Sequence, residues 1–248
     1  LGFIHRFMPI EKQVDMIKKA FEQGIAVGAS VGARGSYFQD VKKLIHAGAT
    51  AILVDTANGH SEYAIQAVNK IRDSFPDIHI MAGNVATGQG YLDLTEWGAD
   101  YVRCNVGGGS ICSTRIQTGH GYPGLQTLFD CYDMKEQYGL ESKIIADGGI
   151  RYSGDVSKAL AAGAHAVMMG GMFAGTEEAP GEVFLFQGRS YKSYRGMGSV
   201  GAMKDGAADR YFQEDNSANV DKLVPEGIEG QVPYKGSVLA IVHQLTGG

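Results

Sequence analysis

Residues 47–57 read AGATAILVDTA, a turn of small residues followed by an unbroken apolar run that stops on an aspartate. A glycine can close a helix in the left-handed region, and the alanine beside it keeps the returning chain close to its support. The run itself is short and apolar on both faces, as a strand is when helices cover each side of its sheet. The same return is written twice more, as WGAD at 97–100 and AGAH at 162–165, each time directly before another apolar run.

Working outward from these returns, the pattern predicts strands over 2–5, 26–31, 51–57, 79–85, 101–106, 143–148 and 166–170. Helices are predicted over 10–23, 39–47, 61–74, 90–96, 125–138, 154–161 and 237–245, the last with Ser237 as its cap. Strands alternating with helices give an α/β fold, either a (β/α)₈ TIM barrel lacking one unit or a doubly wound sheet. The spacing leaves both open. Asp55, Asn84, Asn105 and Asp147 stand at the C-terminal strand ends, where either architecture carries its site.

The totals exclude several classes. Glycine is 36 of 248 residues, well above the usual ~7%, yet it follows neither a collagen period nor a linker composition. A net charge of -5 with scattered Lys and Arg gives no nucleic-acid footprint. No apolar run approaches bilayer length, and the opening LGFIHRFMPI lacks the order of a signal peptide, so no membrane association is expected. Cys104, Cys112 and Cys131 form no CxxC, which suits a reducing, cytoplasmic setting. The seven histidines include no HxxH or HExxH, so a transition-metal site is not expected.

Chemistry concentrates in GGGSICSTR at 107–115. A lone cysteine is commonly a packing residue. After a glycine-rich strand end, with Arg115 or the next turn to favour a thiolate, Cys112 is also a candidate nucleophile for an electrophilic ring carbon. ADGGI (146–150) and MGGMFAG (169–175) are two more glycine clusters at strand ends, suited to cradling a phosphate on backbone amides. Asp147 between them can accept from vicinal hydroxyls, so a phosphorylated ribose fits. The letters GMGSVG at 196–201 match a dinucleotide fingerprint but lack its β-α context. Residues 176–236 begin with a hairpin around Gly188 and continue too long and irregularly for an ordinary connection; their aromatic content points to a lid. The expected organisation is a barrel body over 1–175, a hairpin and mobile catalytic flap over 176–236, and a helix and tail over 237–248.

GNVAT (83–87), GGGSICSTR, IADGGIRYSGD (145–155), GTEEAPGE (175–182), YKSYRGMGSVGAM (191–203), DRYFQE (209–214) and PEGIEGQVPYKG (225–236) together resemble the IMP dehydrogenase/GMP reductase family. The likeness is to the catalytic domain of the inosine 5′-monophosphate dehydrogenases, in their prokaryote-like form. It implies a TIM barrel, a homotetramer, and NAD-dependent conversion of IMP to XMP with K+ bound. Cys112 would attack purine C2, and Arg210, with Tyr211 beside it, would activate the water that hydrolyses the thioimidate; Thr114 would position that water. Ser110, Gly149, Gly170, Gly171 and Tyr194 would hold the phosphate, Asp147 the ribose, and Met197, Gly198 and Glu226 the base. Asp55, Asn84, Arg103 and Asn105 would lie on the cofactor side, and carbonyls of Gly107, Gly109 and Cys112 would form the potassium loop.

DTANGHSE (55–62), TGHGYPG (118–124) and GGMFAG (170–175) lean instead to guanosine 5′-monophosphate reductase, whose relay would fall on Thr114 and Glu226. The Arg210–Tyr211 pair favours the dehydrogenase; a silent nucleotide-binding barrel is a third reading. Two positions depart from the commonest pattern: Asn105 replaces a usual glycine, and Gly108 a common proline at a place where the family also accepts glycine. The likeness also implies a first barrel strand ahead of LGFIH that is missing here. The stretch between 5 and 26 is too short for the paired CBS modules often inserted there.

Overall fold

The computed structural model describes residues 2–216 and 220–248. Its main sheet has seven strands: β1 (Gly2–Ile4), β2 (Val27–Val31), β3 (Ala51–Asp55), β4 (His79–Val85), β5 (Tyr101–Cys104), β6 (Lys143–Asp147) and β7 (Ala166–Met168). They lie side by side in chain order, and every neighbouring pair is parallel. A doubly wound sheet would reverse its order at a switch point. The observed order is that of an incomplete (β/α)₈ barrel, curled but open between β7 and β1 among the described residues.

The connecting helices are α1 (Ile10–Glu22), α2 (Tyr37–His46), α3 (Glu62–Ser74), α4 (Gly88–Glu96), the short α5 (Thr114–Gln117), α6 (Gly124–Tyr138) and α7 (Ser153–Ala161). The predicted helix-to-strand return is present three times: Gly48, Gly98 and Gly163 adopt φ of +106°, +107° and +97°. A Cβ at these positions would also strike Phe21, Arg72 and Tyr132, so both conformation and space require glycine.

Strand alternation separates core from site. Ile52 and Val54 of β3 face the helices in the main apolar core, with Ile80, Val102, Ile144, Leu44 and Leu94. Leu53, Met81 and Ile145 turn the other way and form an inner layer with Tyr101 and Met168. Two residues further along three of these strands stand Asp55, Arg103 and Asp147, stacked on that layer at the barrel mouth. β4 departs from this rhythm. Its register shifts between Gly83 and Val85, and the bulge leaves Val85 in the core while Asn84 bonds across the mouth.

Beyond β7 a second sheet is built from β8 (Val183–Phe186), β9 (Arg189–Arg195) and β10 (Glu229–Pro233), all antiparallel. Gln187 and Gly188 both have positive φ, the signature of a two-residue hairpin turn. Lys192 on β9 is buried and donates to the carbonyls of Thr176, Glu177 and Ala179, fastening the hairpin to the turn after β7. Between β9 and β10 come α8 (Val200–Lys204) and 3₁₀ turns at Ala207–Tyr211, Glu214–Asn216 and Val220–Lys222. Met203, Ala208 and Leu223 give this segment its own small core. α9 (Val238–Gly247) follows, and the Ser237 side chain accepts the Leu239 N–H at its start. β10, α5 and the 3₁₀ turns have no counterpart in the sequence prediction, since EGQVP shows no alternation and the turns are too short for a period. The strand predicted over 166–170 ends at Met168, where the chain folds back so that Phe173 N–H donates to Gly170. No helix among the described residues is long and apolar enough to cross a membrane.

Candidate active site

Cys112 lies on the loop joining β5 to α5, half-buried. The loop is stitched to the chain returning from the long excursion: Ser113 N–H donates to the Glu226 carbonyl at 2.9 Å and Ile228 N–H to that of Ile111 at 3.0 Å. These bonds bring the Glu226 side chain to the thiol. Cys112 Sγ donates to Thr114 Oγ1 at 3.2 Å, and Thr114 Oγ1 donates to Glu226 Oε2 at 2.7 Å. The result is a continuous route from thiol to carboxylate. Arg115, a candidate for stabilising a thiolate, is committed elsewhere. It donates to the carbonyls of Val106 and Tyr122 at 3.0 and 2.6 Å and so braces the loop.

Across the mouth, Arg103 joins two carboxylates. It donates to Asp55 Oδ1 at 2.7 Å and to Asp147 Oδ2 at 2.7 and 3.1 Å. Asn84 Nδ2 donates to the same Asp147 oxygen at 2.7 Å and to the Asn105 carbonyl at 2.9 Å. Arg210 reaches Asp55 from the 3₁₀ turn at Ala207–Tyr211, and Arg6 holds the neighbouring Asp209 at 2.7 Å. Burial alone would raise the Asp55 pKa, but the guanidinium groups of Arg210, Arg103 and Arg6 overturn this and hold it well below the usual carboxylate range. Burial likewise opposes charge on Arg210, and Asp55 reverses it, leaving the guanidinium more firmly protonated than usual. Burial pushes the Tyr211 phenol up, with Arg210 opposing.

Two cavities meet here. One, of about 330 Å³, is lined by Cys112, Thr114, Met197, Gly198, Arg210 and Tyr211. The other, of about 410 Å³, is lined by Ser110, Gly149, Gly170, Gly171, Tyr194 and Lys235. Gly109, Asp147, Gly148 and Tyr194 border both, making them one continuous cleft. The glycines in the second let two hydroxyls come close to the backbone: a Cβ on Gly170 would lie 2.8 Å from the Tyr194 hydroxyl, and one on Gly171 3.0 Å from Ser110 Oγ. Burial raises the Tyr194 pKa, keeping its hydroxyl a donor. Lys235 and Arg151, which the motifs did not single out, add two cations to this lining. Lys235 arrives from the end of β10 and reaches the Met172 carbonyl at 3.3 Å. Its only sequence signal was its place in PEGIEGQVPYKG.

Of the predicted site residues, Asn105 and Glu226 stand apart. The Asn105 amide donates to the Asp147 carbonyl at 2.9 Å, beneath the cysteine loop. Glu226 bonds Thr114 and is not part of the lining of the cavity at Cys112. Gly107, Gly109 and Cys112 offer backbone carbonyls, the hard oxygen donors that an alkali cation takes, although the Gly109 carbonyl already accepts Cys112 N–H at 3.1 Å. Among the described residues no group of three or more His, Cys, Asp or Glu is placed to hold a metal ion.

A family model described as the IMP dehydrogenase / GMP reductase domain matches residues 1–248. The chain is 54% identical over 224 residues to the inosine-5′-monophosphate dehydrogenase of Pasteurella multocida, covering 90% of this chain and 45% of that protein. It is 50% identical over 242 residues to the enzyme of that name from Haemophilus influenzae, covering 98% and 49%. Against the Escherichia coli K12 enzyme the figures are 54% over 228 residues, 92% and 46%. The chain thus spans about half the length of the curated relatives it matches.

Proposed function

The chain belongs to the IMP dehydrogenase / GMP reductase family, and from that premise we propose that it forms the catalytic part of an NAD-dependent dehydrogenase converting IMP to XMP. The observation carrying this reading is the cleft in which Cys112 and the flap residues Arg210 and Tyr211 line one chamber while a glycine cradle lines the next. A nucleotide whose phosphate sits among Ser110, Gly149, Gly170, Gly171 and Tyr194 directs its base towards Cys112, Met197, Gly198 and Glu226. Asp147 takes the ribose hydroxyls. Arg103 and Asn84 converge on its Oδ2, which orients the carboxylate and leaves its other oxygen to accept.

Cys112 gives up its proton along the Thr114 and Glu226 route, and the sulfur adds to C2 of the purine. When bound, NAD would supply the acceptor for the hydride that C2 gives up. A thioimidate between Cys112 and C2 remains; water adds to C2, the thiol is expelled, and XMP departs. The sum is IMP, water and NAD+ giving XMP, NADH and a proton. Asp55 is the carboxylate suited to the cofactor ribose, with Asn84 and Arg103 beside it, and it is also the partner of Arg210. A cofactor ribose on Asp55 and the docked Arg210 would exclude one another, in keeping with the order that the family resemblance implies, hydride transfer before flap closure and hydrolysis after it. Arg210 would act as the base only once the docked flap no longer holds it on Asp55; while that pair persists, Glu226, having released the thiol's proton to solvent, takes the water's proton through Thr114. Potassium, if it takes part, would be held by the carbonyls of Gly107, Gly109 and Cys112 and would stiffen the cysteine loop. The assembly expected is a homotetramer, and the setting cytoplasmic.

The Cys112, Thr114 and Glu226 chain equally favours one alternative, the NADPH-dependent reduction of guanosine 5′-monophosphate with loss of ammonia. The intact protein should therefore be given IMP with NAD and, separately, GMP with NADPH, following absorbance of the reduced cofactor. A rise in the first mixture alone is expected; a fall in the second alone transfers the assignment to the reductase.

A further inference from the structure

One face of the second sheet covers the loop that leaves β7. Side chains two apart on a strand share a face, so Lys192 and Tyr194 of β9 point the same way, and Val232, paired opposite Lys192 on β10, joins them. Tyr194 and Val232 line the chamber that Gly170 and Gly171 also border. Lys192 is 2% exposed and stays out of that lining, reaching further along the same loop. Its Nζ donates to the carbonyls of Thr176 at 2.9 Å, Glu177 at 3.3 Å and Ala179. β9 thus grips the loop twice, beside Gly170 through Tyr194 and over 176–179 through Lys192.

The backbone between the two grips is tightly wound. The Gly170 carbonyl accepts from the N–H groups of Phe173 and Ala174 at 3.0 Å each, and that of Phe173 accepts Thr176 N–H at 3.0 Å and its hydroxyl at 2.7 Å. A shift at Thr176 is therefore passed to Gly170 and Gly171. Glu178, in the same turn, spends its carboxylate on the start of α9, accepting from Ser237 Oγ and Val238 N–H at 2.8 Å each. Among the described residues the Lys192 charge is met by carbonyl dipoles and not cancelled by a bonded carboxylate, so a positive field remains beside the chamber. We propose that Lys192 is a positioning residue for the nucleotide's phosphate: it holds the Gly170–Gly171 backbone in its receiving form, and its charge favours a dianion there. The inference rests on the phosphate chamber of the proposed function and not on the redox step.

The test is Lys192→Met in the intact protein, with IMP and inosine titrated separately by calorimetry. The variant should bind IMP ~10-fold or more weakly and inosine within ~2-fold of the parent, because only IMP carries the phosphate. In turnover the loss should fall on KM, with kcat within ~3-fold. Without nucleotide, backbone amides over 170–179 should exchange ~10-fold faster. A merely structural part in the hairpin would weaken both ligands alike or lower kcat; either result, or unchanged IMP affinity or loop exchange, overturns the proposal. A parent that holds inosine as tightly as IMP discards the phosphate chamber and the proposal with it. Weakening selective for IMP, in a protein that turns over neither IMP nor GMP, keeps the role of Lys192 and discards the dehydrogenase reading. Where Lys192→Met fails to fold, Lys192→Gln, uncharged but still a donor, is judged by the same outcomes.

Discussion

Cys112 reaches Glu226 through a single hydroxyl, so the fate of its proton depends on Thr114. Thr114→Val keeps the shape and removes the relay. Hydride transfer, followed as a first-turnover burst of reduced cofactor, should fall ~100-fold while nucleotide affinity holds, because general acid–base help is commonly of that size. An unchanged burst would mean the thiol loses its proton by another path. Cys112→Ala should abolish the burst altogether and still bind IMP, since the cradle contacts remain; residual turnover would remove the nucleophile. Lys235 differs, as an exposed cation at the rim of the chamber proposed for the phosphate. Exposed charges contribute little individually. Lys235→Gln should raise KM for IMP only ~3-fold, with kcat unchanged and the difference fading in high salt. A loss confined to kcat would place Lys235 outside phosphate binding.

The segment expected to act as a flap is held to the barrel by charge and backbone hydrogen bonds more than by apolar contact. Arg6 pairs with Asp209, Arg34 with Glu214 and Arg210 with Asp55, while its apolar cluster is small and internal. Because the Asp55 pKa is depressed, its share of the docking is complete above the ordinary carboxylate value and is lost only as pH falls below it. Flap release should accordingly be flat between about pH 5 and 9 and should grow with ionic strength. Arg6→Met removes the least exposed of the outlying pairs, and tryptic cleavage after Arg210 should then accelerate ~5-fold at constant melting temperature. Cleavage unchanged by both salt and Arg6→Met would show that the flap is held otherwise. Local pattern made much of this architecture legible: the three glycine returns, the apolar runs and the Ser237 cap are each written within a few residues. The flap's anchoring was not, because Arg6 and Asp209 meet only after the barrel has brought them together. The pairing of Thr114 with Glu226 was legible only through the resemblance, since the two residues lie 112 positions apart, and Asn84 enters the mouth only because a bulge breaks the alternation of β4.

The barrel divides its labour between two ends. The mouth gathers Asp55, Arg103, Asp147 and Arg210, buried charges that cost stability unless each is paired. At the opposite end Arg72 pairs with Asp100 at the entry to β5, while the junction of α4 with the entry to β6 is tied by neutral hydrogen bonds. Tyr91 is fully buried and donates to the Ser142 carbonyl at 2.9 Å; Ser142 Oγ donates back at 2.7 Å and also meets Thr95 Oγ1 at 2.7 Å. Burial pushes the Tyr91 pKa up to about 12. A raised pKa means that the folded state keeps a proton the unfolded chain gives up. Its stabilising share is therefore whole below about pH 10 and is lost as pH climbs from there towards 12. Tyr91→Phe should lower stability by about 1–2 kcal/mol at neutral pH, leaving Ser142 short of a partner. It should also flatten the fall in stability between about pH 10 and 12, measured by urea unfolding at each pH. A variant that declines in parallel with the parent would deny Tyr91 any part in the alkaline limit. IMP affinity at neutral pH is expected to stay unchanged in the same variant, because the network touches none of the groups that line the cleft. A weakened affinity would mean that strain at the base of the strands is transmitted to their C-terminal ends, so that the packed barrel does not insulate its site.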